Sequence, residues 1–314
     1  MTDMTEQAER QDVIHALAAS PDLHICLGAR PSGLYRSEDG GLTWHDAYGS
    51  LNLQTPLPTA AVALSPDFAT DRTVFAGVPG GILRSAVGGN AWTVVHLPSP
   101  PPFVQSLAVS PHFAQDGVVL AGTMEDGVFR SGDRGAQWAA WNFGLLDLSV
   151  LCLSISPAYL DDETVFAGTD SGIFRSTNGG RAWRELEFSP DWAPVLSLAL
   201  SPGFGADGML FAGTESAGMF GSKDQGRTWK PVAEDVIAGA VNSIVLAPDF
   251  PTQPAVLALL GNALLVSRDG GRSWSDWKPG LPVDRGLTAV AAPQGLGPGA
   301  PLLVGLADGA VLRI

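Results

Sequence analysis

A short motif that leads from a serine to a tryptophan seven residues later occurs six times along the chain. The first copy reads SEDGGLTW, and every copy has glycine between its two ends. Successive tryptophans are 45 to 48 residues apart, and the copies occupy residues 37–44, 85–92, 131–138, 176–183, 222–229 and 267–274. A fixed period of this size indicates a repeat architecture, in which each unit buries its apolar faces against its neighbours.

Each repeat unit contains four short apolar segments separated by glycine and proline, which is the pattern of β-strands. In the third unit these are 104–109, 117–122, 127–131 and a segment that begins at Trp138. None has the 3.6-residue period of a helix. We call the strands of each unit a to d in chain order, and the strands a begin near Val13, Ala60, Val104, Val150, Val195, Asn242 and Thr288. The sequence therefore predicts an all-β fold, a seven-bladed β-propeller of four-stranded antiparallel blades.

The predicted domain division has two parts. Residues 13–314 form a single propeller domain, because blades of this length close into one ring. The strands a are the most apolar segments, so we expect them at the innermost position, packed on both faces. The seventh unit supplies strands a to c only. Residues 1–12 are therefore either an N-terminal tail or a clasp strand that completes the last blade.

The residue types in the serine-to-tryptophan motif suit a tight turn between strands c and d. An acidic side chain accepts hydrogen bonds from amides of its own turn, glycine permits a positive φ, and tryptophan anchors the turn by burying a large ring. We therefore predict a structural role for the third residue of the motif, which is Asp39, Asp133, Asn178, Asp224 or Asp269. Blade 2 has Val87 at this place, so we expect its turn to be bonded differently.

This motif resembles the Asp-box, or bacterial neuraminidase repeat, of sialidases, xyloglucan-type glycoside hydrolases, sortilin-like receptors and photosystem II assembly factors. The resemblance covers essentially the whole chain. It implies that the box turns lie on the rim, away from the functional face. It also implies two propellers for a xyloglucan-type hydrolase and one for an assembly factor, and this chain encodes one. The tyrosine and arginine set of a sialidase is not matched, because Tyr35 and Tyr159 fall at repeat positions that phenylalanine fills in other units.

Composition narrows the choice of partners. The net charge of −14 argues against nucleic acid and anionic membranes as partners. No apolar stretch approaches the ~20 residues of a membrane span, and the N-terminus lacks the features of a secretory signal, so we expect a cytoplasmic monomer. Cys26 and Cys152 fall in different blades, so we expect two buried thiols and no disulfide.

Connections that do not repeat are the expected place for binding. The a–b and c–d connections lie on one side of the ring, here called the box face, and the b–c and d–a connections lie on the other, here called the loop face. The d–a connections vary most and are rich in aromatic residues. The candidate binding residues of the loop face are Trp141, Trp192, Trp277, His45, His96, Glu125, Asp126, Asp170, Glu215 and Asp308.

A second series of residues repeats within strand c, directly before the position of the box serine. It consists of arginines in five units, and Gly221 and Val266 interrupt it: Arg36, Arg84, Arg130, Arg175 and Arg313. A clamp for an anion is one interpretation. Because the position repeats, we favour a structural role in which each arginine points to an acidic partner on the adjacent blade.

These residues favour a non-catalytic binding or assembly platform, whose loop face receives a protein, a small molecule or a glycan. We predict no catalytic residue, no metal and no cofactor, although His45 and His96 lie in adjacent units and leave a metal site as an alternative. The competing hypothesis is a glycoside hydrolase-like enzyme that uses carboxylates at the mouth of the central channel.

Overall fold

The computed structural model describes residues 12–98, 101–250 and 252–314. These residues form seven separate antiparallel sheets, of which six have four strands and one has three. In every sheet the strands pair in chain order, so each blade is a meander of consecutive strands. The prediction of a seven-bladed propeller is therefore confirmed.

The first four blades contain sixteen strands. Blade 1 contains β1 (Ala16–Ala19), β2 (Cys26–Arg30), β3 (Gly33–Ser37) and β4 (His45–Asp46). Blade 2 contains β5 (Ala61–Leu64), β6 (Val74–Val78), β7 (Gly81–Ser85) and β8 (Thr93–His96). Blade 3 contains β9 (Val104–Val109), β10 (Val119–Thr123), β11 (Val128–Ser131) and β12 (Ala139–Ala140). Blade 4 contains β13 (Val150–Ile155), β14 (Val165–Thr169), β15 (Ile173–Ser176) and β16 (Arg184–Glu185).

The last three blades contain eleven strands. Blade 5 contains β17 (Val195–Leu200), β18 (Leu210–Thr214), β19 (Met219–Ser222) and β20 (Lys230–Val232). Blade 6 contains β21 (Val241–Leu246), β22 (Val256–Leu260), β23 (Ala263–Ser267) and β24 (Ser275–Asp276). Blade 7 contains β25 (Leu287–Ala291), β26 (Leu303–Leu306) and β27 (Val311–Arg313).

Short helical turns occupy several connections. Four one-turn helices in a–b connections each begin at an aromatic residue: α1 (Phe68–Asp71), α2 (Phe113–Asp116), α3 (Tyr159–Asp162) and α4 (Phe204–Asp207). Three 3₁₀ turns lie in d–a connections: Gly49–Leu51, Pro190–Trp192 and Val283–Arg285. No helix within the described ranges is long and apolar enough to cross a bilayer.

The strands a lie innermost, because each one contacts the strands a of the blades on either side. They are less buried than expected: most residues of β9 and β13 are only partly covered, whereas every residue of β10 and β14 is buried. Strands a line the centre of the ring and keep one side partly accessible. The most completely buried part of the core therefore consists of the strands b, which are covered by a neighbouring blade on each face.

The box turns are held by the hydrogen bonds that the motif predicts. In blade 1, Ser37 Oγ donates to Asp39 Oδ1 at 2.7 Å and accepts from the Gly41 amide at 2.8 Å. The Asp39 carboxylate also accepts from the Thr43 amide and hydroxyl. Blade 2 keeps the serine-to-glycine bond and has no carboxylate at Val87, so the expectation of a differently bonded turn is confirmed.

The ring closes where blade 7 meets blade 1. The Ile14 amide donates to the Leu306 carbonyl at 3.3 Å, and Gln294 Nε2 donates to the Pro21 carbonyl at 3.0 Å. Leu303 of blade 7 packs with Cys26 of blade 1. The predicted tail or clasp at residues 1–12 falls almost wholly outside the described residues and stays a prediction.

Candidate functional site

Trp141 and Trp277 occupy one and the same position of the repeat, three residues after the box tryptophan. The Trp141 amide donates to the Val128 carbonyl, and the Trp277 amide donates to the Leu264 carbonyl, so both residues extend the pairing of strands d and c. Both side chains are half-buried. This differs from the expectation that these tryptophans lie in non-repeating, exposed connections. In the sequence, the equal spacing of Trp141 and Trp277 from their box tryptophans shows that both occupy a repeated position.

Side chains at this repeat position pack on the following blade. The guanidinium carbons of Arg130 and Arg181 lie 4.4 and 5.1 Å from the centroid of the Trp141 ring, and Trp183 Nε1 of blade 4 donates to the Trp141 carbonyl at 2.8 Å. Leu186, at the equivalent position in blade 4, lies against the box turn of blade 5 in the same way. The position stabilises contacts between blades, and a binding role for Trp141 or Trp277 remains a prediction.

Trp192 belongs to an aromatic cluster on the loop face of blade 5. Its ring stacks on Phe220 with centroids 4.3 Å apart and planes inclined by 25°. Phe188 meets the Trp192 ring edge-on at 5.2 Å and the Trp229 ring at 5.4 Å. A cavity of about 320 Å³ opens beside Trp192, and Glu234 is the acidic residue at its lining. The shape suits a single apolar group next to a carboxylate.

Four large apolar side chains are exposed on the b–c turn of blade 3 and on the connection from blade 3 to blade 4. They are Met124, Phe143, Leu146 and Leu148, which are 51%, 81%, 78% and 38% exposed, and the Phe143 carbonyl accepts from the Trp183 amide of blade 4 at 2.8 Å. The Leu148 carbonyl accepts from the Gly127 amide at 2.9 Å, which ties the d–a connection to the b–c turn that carries Met124. We call these four residues the apolar patch. Clustered exposure of large apolar side chains marks interaction surfaces in soluble proteins.

Asn142 fixes the patch to the blade. Its Oδ1 accepts from the Val128 amide at 2.8 Å, and its Nδ2 donates to the Asp126 carbonyl at 2.8 Å. The predicted residues Glu125 and Asp126 lie in this same b–c turn, next to the apolar patch. The structure therefore brings two of the acidic candidates beside an apolar surface that the sequence analysis did not identify.

The other acidic candidates are dispersed around the loop face. Asp170 and Glu215 are exposed in the b–c turns of blades 4 and 5. Asp308 is engaged, because Arg285 Nε donates to its Oδ2 at 2.7 Å. A hydrogen bond from the Ala310 amide, followed by the contact with Arg285, holds the pKa of Asp308 below its ordinary value. None of Glu125, Asp126, Asp170 and Glu215 lines any of the four cavities described for the structured residues.

The two histidine candidates lie at different levels of the outer strands. His45 pairs with Arg36 near the box end of β4, whereas His96 pairs with Gly81 at the loop-face end of β8. Both are exposed. Within residues 12–98, 101–250 and 252–314, no group of three or more histidine, cysteine, aspartate and glutamate side chains is arranged to hold a metal ion.

Sequence reasoning missed the aliphatic members of the apolar patch and the acidic residue of the blade 5 cavity. Leu146 and Leu148 read as ordinary loop residues, because only the fold shows that they are uncovered. Glu234 lies three residues before the buried Ile237 and carries no motif. Phe143 had a signal, since it is an aromatic residue in a d–a connection, five residues after the box tryptophan, where Phe188 stands in blade 4.

No family model and no curated protein matches the chain. Solved structures do match it. The GH74 xyloglucanase from Xanthomonas campestris has a TM-score of 0.71 and 16% identity over 97% of this chain. YCF48 from Cyanidioschyzon merolae has a TM-score of 0.70 and 16% identity, covering 98% of this chain and 96% of that one. YCF48 bound to D1 peptide has a TM-score of 0.68 and 17% identity, covering 97% of this chain and 94% of that one.

The matched proteins differ in how much of their own length this chain covers. The chain spans 52% of the xyloglucanase and 38% of the extracellular domain of a putative one-component system from B. thetaiotaomicron, whose TM-score is 0.71 at 13% identity. At sequence identities this low, the similarity shows a shared fold. The chain is thus a seven-bladed β-propeller with Asp-box turns, the fold that it shares with GH74 xyloglucanases and YCF48.

Proposed function

We propose that this protein is a non-catalytic binding platform, which docks a polypeptide partner on the loop face through the apolar patch. The observation that carries the proposal is the exposure of Phe143 and Leu146, at 81% and 78%, on a connection anchored by Asn142. Burying a large apolar side chain contributes roughly 1.5 to 3 kcal/mol, and anchors of this kind dominate interface energetics.

The pattern of similarity supports a polypeptide as the partner. The chain and YCF48 match over nearly the full length of both, and one YCF48 structure contains a D1 peptide. The net charge of this chain indicates which kind of partner surface it favours. The net charge of −14 favours a surface with basic side chains around an apolar centre, because opposite charges accelerate encounter.

Site-specific photocrosslinking tests the proposal. We would place a photoreactive phenylalanine analogue at position 143 in cells that make the protein, and irradiate them. The matched control carries the analogue at position 42, since Leu42 is 70% exposed on the box face. We expect a discrete crosslinked partner from position 143 and none from position 42. Leu146→Ser should reduce the yield from position 143. Equal yields at both positions, or none at 143, would refute the docking surface.

The hydrolase hypothesis has less support, because Glu125 and Asp126 share one b–c turn, whereas Asp170 and Glu215 lie in the b–c turns of two other blades. A glycosidase needs two carboxylates about 5 to 10 Å apart on one substrate. We expect the purified protein to leave xyloglucan and other β-glucans intact in a reducing-sugar assay. Hydrolysis that is lost in the Glu125→Gln and Asp126→Asn variants would overturn the non-catalytic proposal.

A further inference from the structure

Three of the five repeated arginines of strand c contact the box turn of the next blade: Arg36, Arg175 and Arg313. Arg36 Nε donates to the Gly88 carbonyl at 2.7 Å. Arg175 Nη1 and Nη2 donate to the carbonyl and the Oε1 atom of Gln225 at 3.2 and 3.0 Å. Gly88 and Gln225 both lie three residues after the serine of the following box. These two arginines therefore point to the adjacent blade as expected, and there they bond to the box turn and not to an acidic side chain. Arg36 also pairs with Glu38 of its own blade.

The strand c arginine of blade 7 makes the same kind of contact. The Arg313 guanidinium lies directly against Gly40, which is again three residues after a box serine. Val266 of blade 6 faces blade 7, which has no box turn in the described residues, so an arginine there would lack its acceptor. Gly221 of blade 5 is different. The following blade has a complete box from Ser267 to Trp274, and the contact lacks only its arginine.

A cavity of about 630 Å³ lies beside this position, and it is larger than the cavity of about 480 Å³ at the same place in blade 4, which Arg175 lines. Gly221, Phe211 and Val232 line it from blade 5, and Phe250 and Gly270 line it from blade 6. We call these five residues the arginine gap. Gly270 is the counterpart of Gly88 and Gln225, and among the described residues no side chain donates to its carbonyl.

Blade 4 shows which group fits such a space. There the Arg175 guanidinium carbon lies 5.6 Å from the centroid of the Phe166 ring, and the two residues are paired across β14 and β15. Phe211 is paired with Gly221 in the same register. The gap therefore places a backbone carbonyl beside the Phe211 ring, which is 3% exposed, and both groups are favourable for a planar guanidinium, which is weakly hydrated and stacks on aromatic rings.

The charges around the gap define the rest of the ligand. Asp224 and Asp269 line the cavity, as do the exposed residues Lys223, Lys230 and Arg272. The acidic side chains favour a cation, whereas the exposed basic ones need a carboxylate close to it. A C-terminal arginine carries both groups. We propose that the arginine gap binds the C-terminal arginine of a partner polypeptide, with its guanidinium over Phe211.

Peptide binding provides the test. A fluorescent peptide ending in Gly-Gly-Arg is titrated against the full-length protein and compared with peptides ending in citrulline, lysine or arginine amide. We expect the arginine peptide to bind, and the neutral citrulline and the amide to bind at least about tenfold more weakly. No saturable binding of the arginine peptide, or equal affinity for the citrulline peptide, would overturn the proposal.

Two variants locate the site. Gly221 has no positive φ, so Gly221→Arg can restore the missing contact, abolish peptide binding and raise the melting temperature. Ser275→Arg, which adds the same charge at an exposed place, should keep both properties unchanged. Phe211→Leu introduces the residue found at the equivalent place in blades 3 and 6, and should weaken the arginine peptide selectively over lysine. If Gly221→Arg binds the arginine peptide fully, the site lies elsewhere. If Gly221→Arg does not fold, full binding by Phe211→Leu leads to the same conclusion.

Discussion

At the scale of single residues, the serine side chain of each box turn forms hydrogen bonds that hold the turn together. Ser131 Oγ donates to Asp133 Oδ1 at 2.8 Å and accepts from the Gly135 amide at 2.8 Å. Asp133 then accepts from the amides of Ala136 and Gln137. Three of these four local bonds satisfy backbone amides that would otherwise need water. Blade 2 lacks the acidic member, and its turn tests how much that member contributes.

Val87→Asp should stabilise the protein. The new carboxylate would accept from the amides of Asn90 and Ala91, as Asp133 does in blade 3. We expect the free energy of unfolding to rise by about 1 kcal/mol, the usual net contribution of a hydrogen bond. Asp133→Val is the reverse control and should lower it by a similar amount. Urea denaturation measures both, and an unchanged midpoint for Val87→Asp would contradict the expectation.

The box carboxylates also set the response to acid. Hydrogen bonds from the Thr228 hydroxyl and amide lower the pKa of Asp224 to about 2. A carboxyl group whose pKa falls on folding adds stability above its unfolded pKa, and this stability is lost as the pH falls through the folded pKa. We therefore expect the contribution of Asp224 to stability to be constant above about pH 4 and to be lost between about pH 4 and pH 2. In Asp224→Asn the decline in that range should be shallower, as thermal unfolding across pH would show.

At the scale of the structural element, one d–a connection builds a small core of its own. Phe188 is buried on the loop-face side of blade 5 and contacts the rings of Trp192, Phe220 and Trp229 edge-on. The connection between blades 3 and 4 instead leaves Phe143 uncovered. Two connections of the same type thus bury one phenylalanine and expose the other, which separates a structural role from a binding role.

Phe188→Ala should therefore destabilise the protein strongly, and Phe143→Ala should not. A large-to-small change at a buried phenylalanine costs about 3 to 5 kcal/mol, because it leaves a cavity among the rings. An exposed phenylalanine changes the free energy of unfolding by roughly 0.5 kcal/mol or less. Equilibrium denaturation of the pair provides the comparison. A similar loss in both variants would mean that Phe143 packs in solution and that the apolar patch is not free.

At the scale of the whole molecule, the junction of blades 7 and 1 is the place where the two ends of the described chain meet. Leu303 packs with Leu23 and Cys26 there, and the Arg313 guanidinium contacts the box turn of blade 1. Burial raises the pKa of the Cys26 thiol to about 11, so in the closed ring Cys26 is both covered and protonated. Its reactivity consequently reports on opening of this junction.

Leu303→Ala should open the junction selectively. The cavity costs about 2 to 5 kcal/mol, and we expect alkylation of Cys26 by iodoacetamide at pH 7 to accelerate relative to Cys152. Leu257→Ala is the matched control, because Leu257 is buried at the equivalent position of blade 6. Peptide mass spectrometry gives the two labelling rates. Equal acceleration of Cys26 in both variants would show that the ring opens as one unit.

The sequence by itself determined the number of blades, the order of their strands and the chemistry of the box turns. These depend on contacts between residues close along the chain, such as Ser37 with Asp39, and a period of 45 to 48 residues repeats them in register. Even the break at Gly221 was visible, because five other units have arginine at that position.

Only the tertiary structure decided which side chains are covered. The sequence did not show that Arg130 and Arg181 approach the Trp141 ring, and Leu146 carried no signal until its surroundings were known. The arginine gap likewise needs two blades to exist. Exposure and cavities depend on residues far apart along the chain, and their relative positions are set by the packing of whole blades rather than by the local pattern of any one of them.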